Sequence, residues 1–375
     1  MKNESPNVIA IGYAKRALVP GSRERERMRQ YGEVLGQYHL IVFTRAREGC
    51  PAFQNEDALY LYATNARTRI GMLIAAYFIG RKILRAQRDT QFVISGQDPL
   101  AAGLVATLLA KSKKAQLHIQ LHGDIFNTDF FGHSYLAVVR RVWASCIVRR
   151  AKKLRAVSQR IKQSLVKEGI EETKISVLPI EADVQSFLRA GEERVYTSAS
   201  EPTFLYVGRF SREKDIPFLL KAFAAARTQG LRAKLVLLGD GPQKALLMKL
   251  VNQLSLADVV TIVPWTDDVP AAMAAADVLC LASQHEGFAM VLVEAMAAGL
   301  PVVTTDVGCA GEIVKQHLHG YIVPVGDVDQ YASALTKMGV DASLRERLGR
   351  AAYLTIKERQ ATASYLHDIK DSFTM

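Results

Sequence analysis

Residues 277–312 constrain the fold more than any other stretch. They read Asp-Val-Leu-Cys-Leu-Ala-Ser-Gln-His-Glu-Gly-Phe-Ala-Met-Val-Leu-Val-Glu-Ala-Met-Ala-Ala-Gly-Leu-Pro-Val-Val-Thr-Thr-Asp-Val-Gly-Cys-Ala-Gly-Glu. The apolar run 278–282 predicts a strand, a polar turn follows, and 288–298 predicts a helix stopped by Gly299. A second strand is expected at 301–304. Strand, crossover helix and strand make one βαβ unit, which belongs to a parallel sheet. The polar residues gather just before the helix, where a helix N-terminus receives an anion. Glu286 sits in that turn, and Glu294 follows eight residues later inside the helix.

The rest of the chain repeats this alternation. In the first half, strands are predicted at 8–12, 40–44, 59–63, 92–95, 115–120, 154–157 and 174–178. Helices are expected at 23–36, 70–85, 99–110, 134–150 and 159–167. A second series places strands at 204–208, 234–239, 259–263, 278–282, 301–304 and 321–324. Its helices fall near 216–228, 243–254, 268–275, 288–298, 310–317 and 327–338. Such alternation calls for doubly wound α/β domains. Residues 179–202, rich in Gly, Ser, Glu and Pro, read as the linker between them. The expected domains are therefore 1–180 and 200–354, with a helix at about 355–375 packing back on the first.

Charge separates the halves. Residues 1–190 carry 30 Lys and Arg against 16 Asp and Glu, while residues 191–375 carry 18 against 21. A basic half joined to a near-neutral one implies a polyanionic partner for the first half alone. Arg140, Arg141, Arg149, Arg150, Lys152, Lys153, Arg155, Arg160 and Lys162 interleave with Val138, Val139, Trp143, Ile147 and Val148. Two readings stand: an amphipathic helix on an anionic membrane surface, or a core-packed helix with a solvated charged face. Nucleic acid is not the expected partner, since no recognition module accompanies the charge. The apolar runs 71–80 and 100–110 are too short to span a bilayer. Met1 to Pro6 has no apolar core of a signal peptide. Cys50, Cys146, Cys280 and Cys309 lack ligand spacing, so neither a disulfide framework nor a zinc site is expected. These features predict a cytoplasmic protein, with peripheral attachment to the inner face of the cell membrane if the basic helix is a membrane element.

Four constellations carry chemistry. Eight helical residues span about 12 Å, too far for the acid/base carboxylates of a retaining hydrolase at roughly 5 Å. Glu286 and Glu294 instead suit two ends of one long polyol-bearing ligand, whose hydroxyls donate to carboxylates. Gly208-Arg209-Phe210-Ser211-Arg212-Glu213-Lys214-Asp215 follows a strand and enters a helix with Pro217 in its first turn. Arg209 and Lys214 beside that helix N-terminus suit a diphosphate. Leu238-Gly239-Asp240-Gly241-Pro242 lacks the third glycine of a dinucleotide fingerprint and reads as a structural tight turn. Val263 and Trp265 end the next strand, either as walls of a base pocket or as core.

Taken together, 208–215, 238–242, Glu-Gly-Phe-Ala…Glu-Ala-Met-Ala-Ala-Gly-Leu-Pro-Val-Val at 286–303 and Gly-Tyr-Ile-Val-Pro-Val-Gly-Asp at 320–327 resemble the retaining glycosyltransferases of family 4. The resemblance implies the GT-B fold: two Rossmann-like doubly wound α/β domains facing across a cleft. It implies that Glu286 meets the donor hexose, that Glu294 holds the ribose, and that Arg209 and Lys214 bind the diphosphate. The amides of Gly287, Phe288 and Ala289 would also meet the donor. It implies no metal and no cofactor beyond a UDP- or GDP-sugar as substrate.

The first half matches less closely. His122, in His122-Gly123-Asp124 after a strand, resembles the family's histidine near the sugar, with Asp124 beside it. Ser158 and Arg160 match the segment that lines the acceptor side. The family's Gly-Gly-X-Glu is replaced by Pro20-Gly21-Ser22-Arg23-Glu24-Arg25, so Gly21 and Ser22 stand where an acceptor is commonly met. Its Asn-Gly-Val-Asp is replaced by Ile180-Glu181-Ala182-Asp183. The expected reaction moves a hexosyl group, with retention, onto a glycan, lipid-linked or polysaccharide acceptor. The alternatives are a GT-B sugar-nucleotide epimerase, or a catalytically silent sugar-nucleotide-binding protein.

Overall fold

Strands covered on both faces by helices are unbroken apolar runs rather than alternating ones. Val8–Ile11, Leu40–Phe43 and Val278–Ala282 are such runs, and every one of these side chains is buried. The computed structural model describes residues 5–113, 115–127, 134–181, 183–196, 201–362 and 365–374. The chain divides into two compact units, one of Met1–Pro179 with Ser364–Met375 and one of Ile180–Ala363.

The first unit runs β1 (Asn7–Gly12), α1 (Arg23–Val34), β2 (Tyr38–Val42), β3 (Phe53–Glu56), β4 (Leu59–Ala63), α2 (Arg69–Ala86), β5 (Phe92–Gly96), α3 (Ala101–Lys113), β6 (Gln116–Leu121), α4 (Tyr135–Arg150), β7 (Lys153–Ala156), α5 (Gln159–Lys167) and β8 (Ile175–Val177). Its sheet has the order β3-β4-β2-β1-β5-β6-β7-β8. All pairings are parallel except the β3–β4 hairpin. The chain winds outward from β1 in one direction and returns to build from β5 in the other, so the switch point lies between β1 and β5.

The second unit runs α6 (Gln185–Glu192), β9 (Thr203–Val207), α7 (Ile216–Thr228), β10 (Lys234–Leu238), α8 (Lys244–Gln253), β11 (Val260–Val263), α9 (Val269–Ala274), β12 (Val278–Leu281), α10 (Met290–Ala297), β13 (Val302–Thr305), β14 (Gly320–Val323), α11 (Val328–Val340) and α12 (Ala342–Thr362). Its wholly parallel sheet has the order β11-β10-β9-β12-β13-β14, with the switch point between β9 and β12. The core gathers Phe204, Tyr206, Phe210, Phe223, Leu237 and Tyr331 around α7 and α11. A last helix, α13 (Tyr365–Thr374), packs on α1 and β7 of the first unit. There Tyr365 accepts a hydrogen bond from buried Arg155 at 2.8 Å and Phe373 packs on His118.

Three sequence expectations need correction. The predicted linker at 179–202 contains α6. Val184, Phe187, Leu188 and Gly191 recur at helical spacing, and Phe187 is buried. Gly191, which reads as a breaker, is a close-packing residue: a Cβ there would stand 2.3 Å from the Ala297 carbonyl oxygen of α10. Just beyond, Arg194 donates to the carbonyls of Ala298 at 2.7 Å, Ala276 at 2.8 Å and Met273 at 2.5 Å, satisfying the open ends of α10 and α9. Residues 182 and 197–200 of that stretch lie outside the described residues. Second, 310–317 forms turns and bridges rather than a helix, because Gly308, Gly311 and His317 adopt left-handed backbone. Third, β3 went unpredicted because its Phe-Gln-Asn-Glu sequence buries no full face.

Candidate functional site

In doubly wound sheets, ligands bind outside the carboxyl ends of the strands at the switch point. In the second unit the two loops there are 208–215 after β9 and 282–289 after β12, the stretches that carry Arg209, Lys214 and Glu286. β9 and β12 are hydrogen-bonded neighbours, which brings the loops together.

The loops are stitched at several points. Gln284 N–H donates to the Glu213 carbonyl at 2.9 Å, and its side-chain amide donates to Asp215 Oδ2 at 2.8 Å. Lys214 Nζ reaches Glu286 Oε1 at 2.5 Å, and Ser283 Oγ donates to the same oxygen at 2.7 Å. Thr305 of β13 holds the Ser283 carbonyl at 2.7 Å from behind. Side-chain exposures of 23% for Lys214 and 13% for Glu286 mean that water screens this pair only in part. Beneath it, Tyr206 is fully buried and donates to the Arg209 carbonyl at 3.1 Å, which fixes the loop backbone. Its phenol is pushed up, first by burial and then by the Glu286 and Glu213 carboxylates. The Arg209 side chain itself is exposed.

The helix that follows β12 is unusual at its start. Ala289 takes a left-handed conformation (φ 66°), and no side chain caps α10. A non-glycine residue in that region marks a backbone held by its surroundings. Helix N-termini leave amide donors unsatisfied, so α10 presents an open anion-receptive end beside Gly287 and Phe288. By contrast, α7 is closed by Asp215, whose carboxylate accepts from Phe218 N–H at 3.3 Å. The helix flanked by Arg209 and Lys214 is therefore capped, and the uncapped one is reached from Glu286.

Glu286 precedes α10 and is not on it. The 12 Å helical spacing to Glu294 accordingly does not apply to this pair, because the left-handed Ala289 breaks the helix between them. Glu294 lies in the fifth position of α10, half-buried, and burial holds its carboxyl above the usual range. Val263 closes β11 half-buried, and Trp265 just beyond is 53% exposed. That exposure removes the core reading of Trp265 and leaves an indole free for stacking. The 238–242 turn is structural, as its sequence implies: a Cβ at Gly239 would stand 1.9 Å from the Gly208 carbonyl oxygen. Cys280 and Cys309 are buried thiols, pushed up by that burial.

In the first unit, His122 follows β6 and is exposed. Its imidazole is held below its usual range, by desolvation first and then by the Arg155 and Arg27 cations. Since water reaches the ring, the two cations are the firmer cause. Asp124 Oδ1 accepts from Phe126 N–H and from Ser164 Oγ, both at 2.9 Å, which ties the turn to α5. Ser22 caps α1 by accepting from Arg25 N–H at 3.2 Å, and Ser158 caps α5 by accepting from Ile161 N–H at 3.4 Å. Gly21, left-handed at φ 73°, and Arg160 are exposed. Among the described residues no group of three or more His, Cys, Asp and Glu is placed to hold a metal ion.

Ser283 and Tyr206 were not expected as site residues. Ser283, three residues before Glu286 in a strand-end turn, carried a readable signal; Tyr206, an aromatic inside a buried strand, carried none.

Residues 192–355 match the family model described as glycosyl transferases group 1. N-acetyl-alpha-D-glucosaminyl L-malate synthase of Bacillus anthracis is 32% identical over 203 residues, 51% of this chain and 53% of that protein. This chain spans about half the length of the curated relatives it matches. Among solved structures, sucrose-phosphate synthase from Thermosynechococcus elongatus aligns with TM-score 0.74 at 19% identity over 98% of each chain. Anabaena HepE in complex with UDP-glucose aligns with TM-score 0.72 at 18% identity over 98% of this chain and 99% of that one. Residues 192–355 thus belong to the glycosyl transferases group 1, within a chain that has the GT-B fold.

Proposed function

We propose that this chain transfers a hexosyl group, with retention of configuration, from a UDP- or GDP-sugar to a glycan, lipid-linked or polysaccharide acceptor. One observation carries the reading: Lys214 and Ser283 both donate to one carboxylate oxygen of Glu286 at the switch point, beside the uncapped start of α10. A diphosphate at that helix end meets open amides and the Lys214 and Arg209 cations, and leaves Glu286 to face the sugar. Glu294 on α10 takes the ribose diol, and Trp265 stacks on the base. In this scheme the amides and the two cations neutralise the leaving diphosphate without a metal ion. The UDP-glucose bound to HepE supports a nucleotide-sugar donor. Retention follows the motif resemblance.

A thermal-shift series with UDP- and GDP-sugars tests the donor. One of the two families of nucleotide sugars is expected to raise the melting temperature at millimolar concentration by several degrees. No shift with either would end the donor reading.

A second reading, of a membrane-facing surface, rests on α4. Tyr135, Leu136, Val139, Val142 and Trp143 are all exposed, opposite buried Ala137 and Ala144. Tyr135 is 83% and Leu136 62% exposed. Arg140, Arg149 and Arg150 share the helix, and α2 adds exposed Ile70, Ile74 and Phe78. α4 packs on the core through Ala137, Ala144, Ile147 and Val148, while Val138, Val139 and Trp143 stay outside, so both readings of this helix hold for one face each. An apolar surface with cationic neighbours suits an anionic bilayer. Among the described residues no helix is long and apolar enough to cross a membrane. The protein is expected to float with anionic liposomes at low salt. Replacing Arg149, Arg150, Lys152 and Lys153 with Gln should cut the floated fraction several-fold, at about 1 kcal/mol per charge. A parent protein that never floats refutes this surface.

A further inference from the structure

The first unit contains a pocket that the donor chemistry does not use. Beyond β2 and β4 the chain forms two loops that are locked together. Arg45 and Ala66 pair as a parallel bridge, with Ala46 N–H donating to the Ala66 carbonyl at 3.0 Å. Thr44 N–H donates to Thr64 Oγ1 at 2.9 Å, and Thr44 Oγ1 donates to Asn65 Oδ1 at 3.0 Å. Asn65 is left-handed at φ 44°, held there by its N–H on Thr44 Oγ1 at 2.9 Å and its amide on the Cys50 carbonyl at 2.7 Å. Backbone held in that region by side-chain bonds is preorganised.

Between the loops opens a cavity of about 320 Å³ lined by Arg45, Ala46, Arg47, Ala66 and Arg67. Arg45 gives one N–H to the Arg67 carbonyl at 2.6 Å. Among the described residues no carboxylate forms an ion pair with Arg45, Arg47 or Arg67. Glu48, near Arg47, is held by Lys15 at 2.8 Å. The 18-residue helix α2 begins at Arg69 just beyond this loop and is capped by Thr68, which accepts from Gly71 N–H at 2.9 Å, so the charge of the pocket comes from its arginines. Three guanidinium groups lining one pocket concentrate positive charge there and attract an anion. Arginine rather than lysine matches a planar or tetrahedral oxyanion in two-point contacts. The volume exceeds that of a bare ion and admits a sugar-sized group. β2 lies beside β1, so the pocket flanks the β1/β5 switch point where this unit would take its ligand.

We propose that this pocket binds the oxyanion of an acidic sugar in the acceptor, a phosphate ester or a carboxylate. The acceptor role rests on the glycosyltransferase reading above; the binding of the acidic sugar does not. The full chain is titrated by calorimetry with glucose 6-phosphate and with glucuronate, each as parent and as R47Q/R67Q. Both side chains are exposed and hold no other element in place, so the variant should keep its fold. The double variant is expected to lose at least tenfold in affinity for whichever acid binds, while donor-nucleotide affinity on the same samples stays within twofold. The tighter acid in the parent identifies phosphate or carboxylate. R47K/R67K, which keeps the charge without the fork, should fall between parent and double variant. If the double variant also loses the donor nucleotide, the single variants R47Q and R67Q carry the same comparison. Binding of neither acid by the parent, or equal binding by the variants, overturns the pocket. A parent that takes an acidic sugar but no nucleotide sugar overturns the glycosyltransferase reading and leaves the pocket standing.

Discussion

Lys214→Ala is expected to weaken binding of the donor nucleoside diphosphate by about 10- to 150-fold, the size of a charge-assisted contact of roughly 1.5–3 kcal/mol. The side chain is half-buried at the loop after β9 and reaches the Glu286 carboxylate at 2.5 Å. A diphosphate beside α10 adds two or more negative charges to a place already holding one, and Lys214 is the cation positioned between them. The variant also leaves Glu286 with Ser283 as its remaining donor, which adds repulsion toward the arriving phosphate. Calorimetry with UDP and GDP reads the effect directly. An unchanged dissociation constant would rule out the diphosphate role of Lys214.

Glu286→Gln should separate binding from turnover. The amide keeps the shape and a hydrogen bond from Ser283, but removes the negative charge that faces the sugar. Lys214 is then released from its ion pair, so affinity for the bare nucleoside diphosphate is expected to hold or rise. Transfer and slow donor hydrolysis should both fall about 10²- to 10³-fold, the scale on which a positioned electrostatic group acts in a transition state. The two substitutions thus move opposite quantities although they break the same contact. Turnover within threefold of the parent would remove Glu286 from the chemistry.

Much of the local geometry around this site is legible in the order of residues alone. The βαβ unit at 277–312, the turn holding Glu286, and the loop with Arg209 and Lys214 all follow from apolar runs punctuated by glycine. Ser22 and Ser158, read from the sequence as acceptor-side residues, and Asp215 cap the helices that follow them. Local chemistry decides such features, because a strand or a cap depends on residues a few positions apart. The same locality explains the failures. Gly191 looks like a breaker until α10 is known to press against it, and the 310–317 stretch looks helical until its left-handed residues are seen.

The sequence by itself determined that the chain builds two doubly wound α/β series and which loops carry charge. Only the tertiary structure decided which of those loops meet. Lys214 and Glu286 are 72 residues apart and share a hydrogen bond because β12 inserts beside β9 rather than at a sheet edge. Arg45, Arg47 and Arg67 become one pocket because β4 pairs with β2. Strand order depends on how helices pack over both faces of a sheet. Alternation of apolar runs reports that packing only as a class of fold, and never as a particular pair of neighbours.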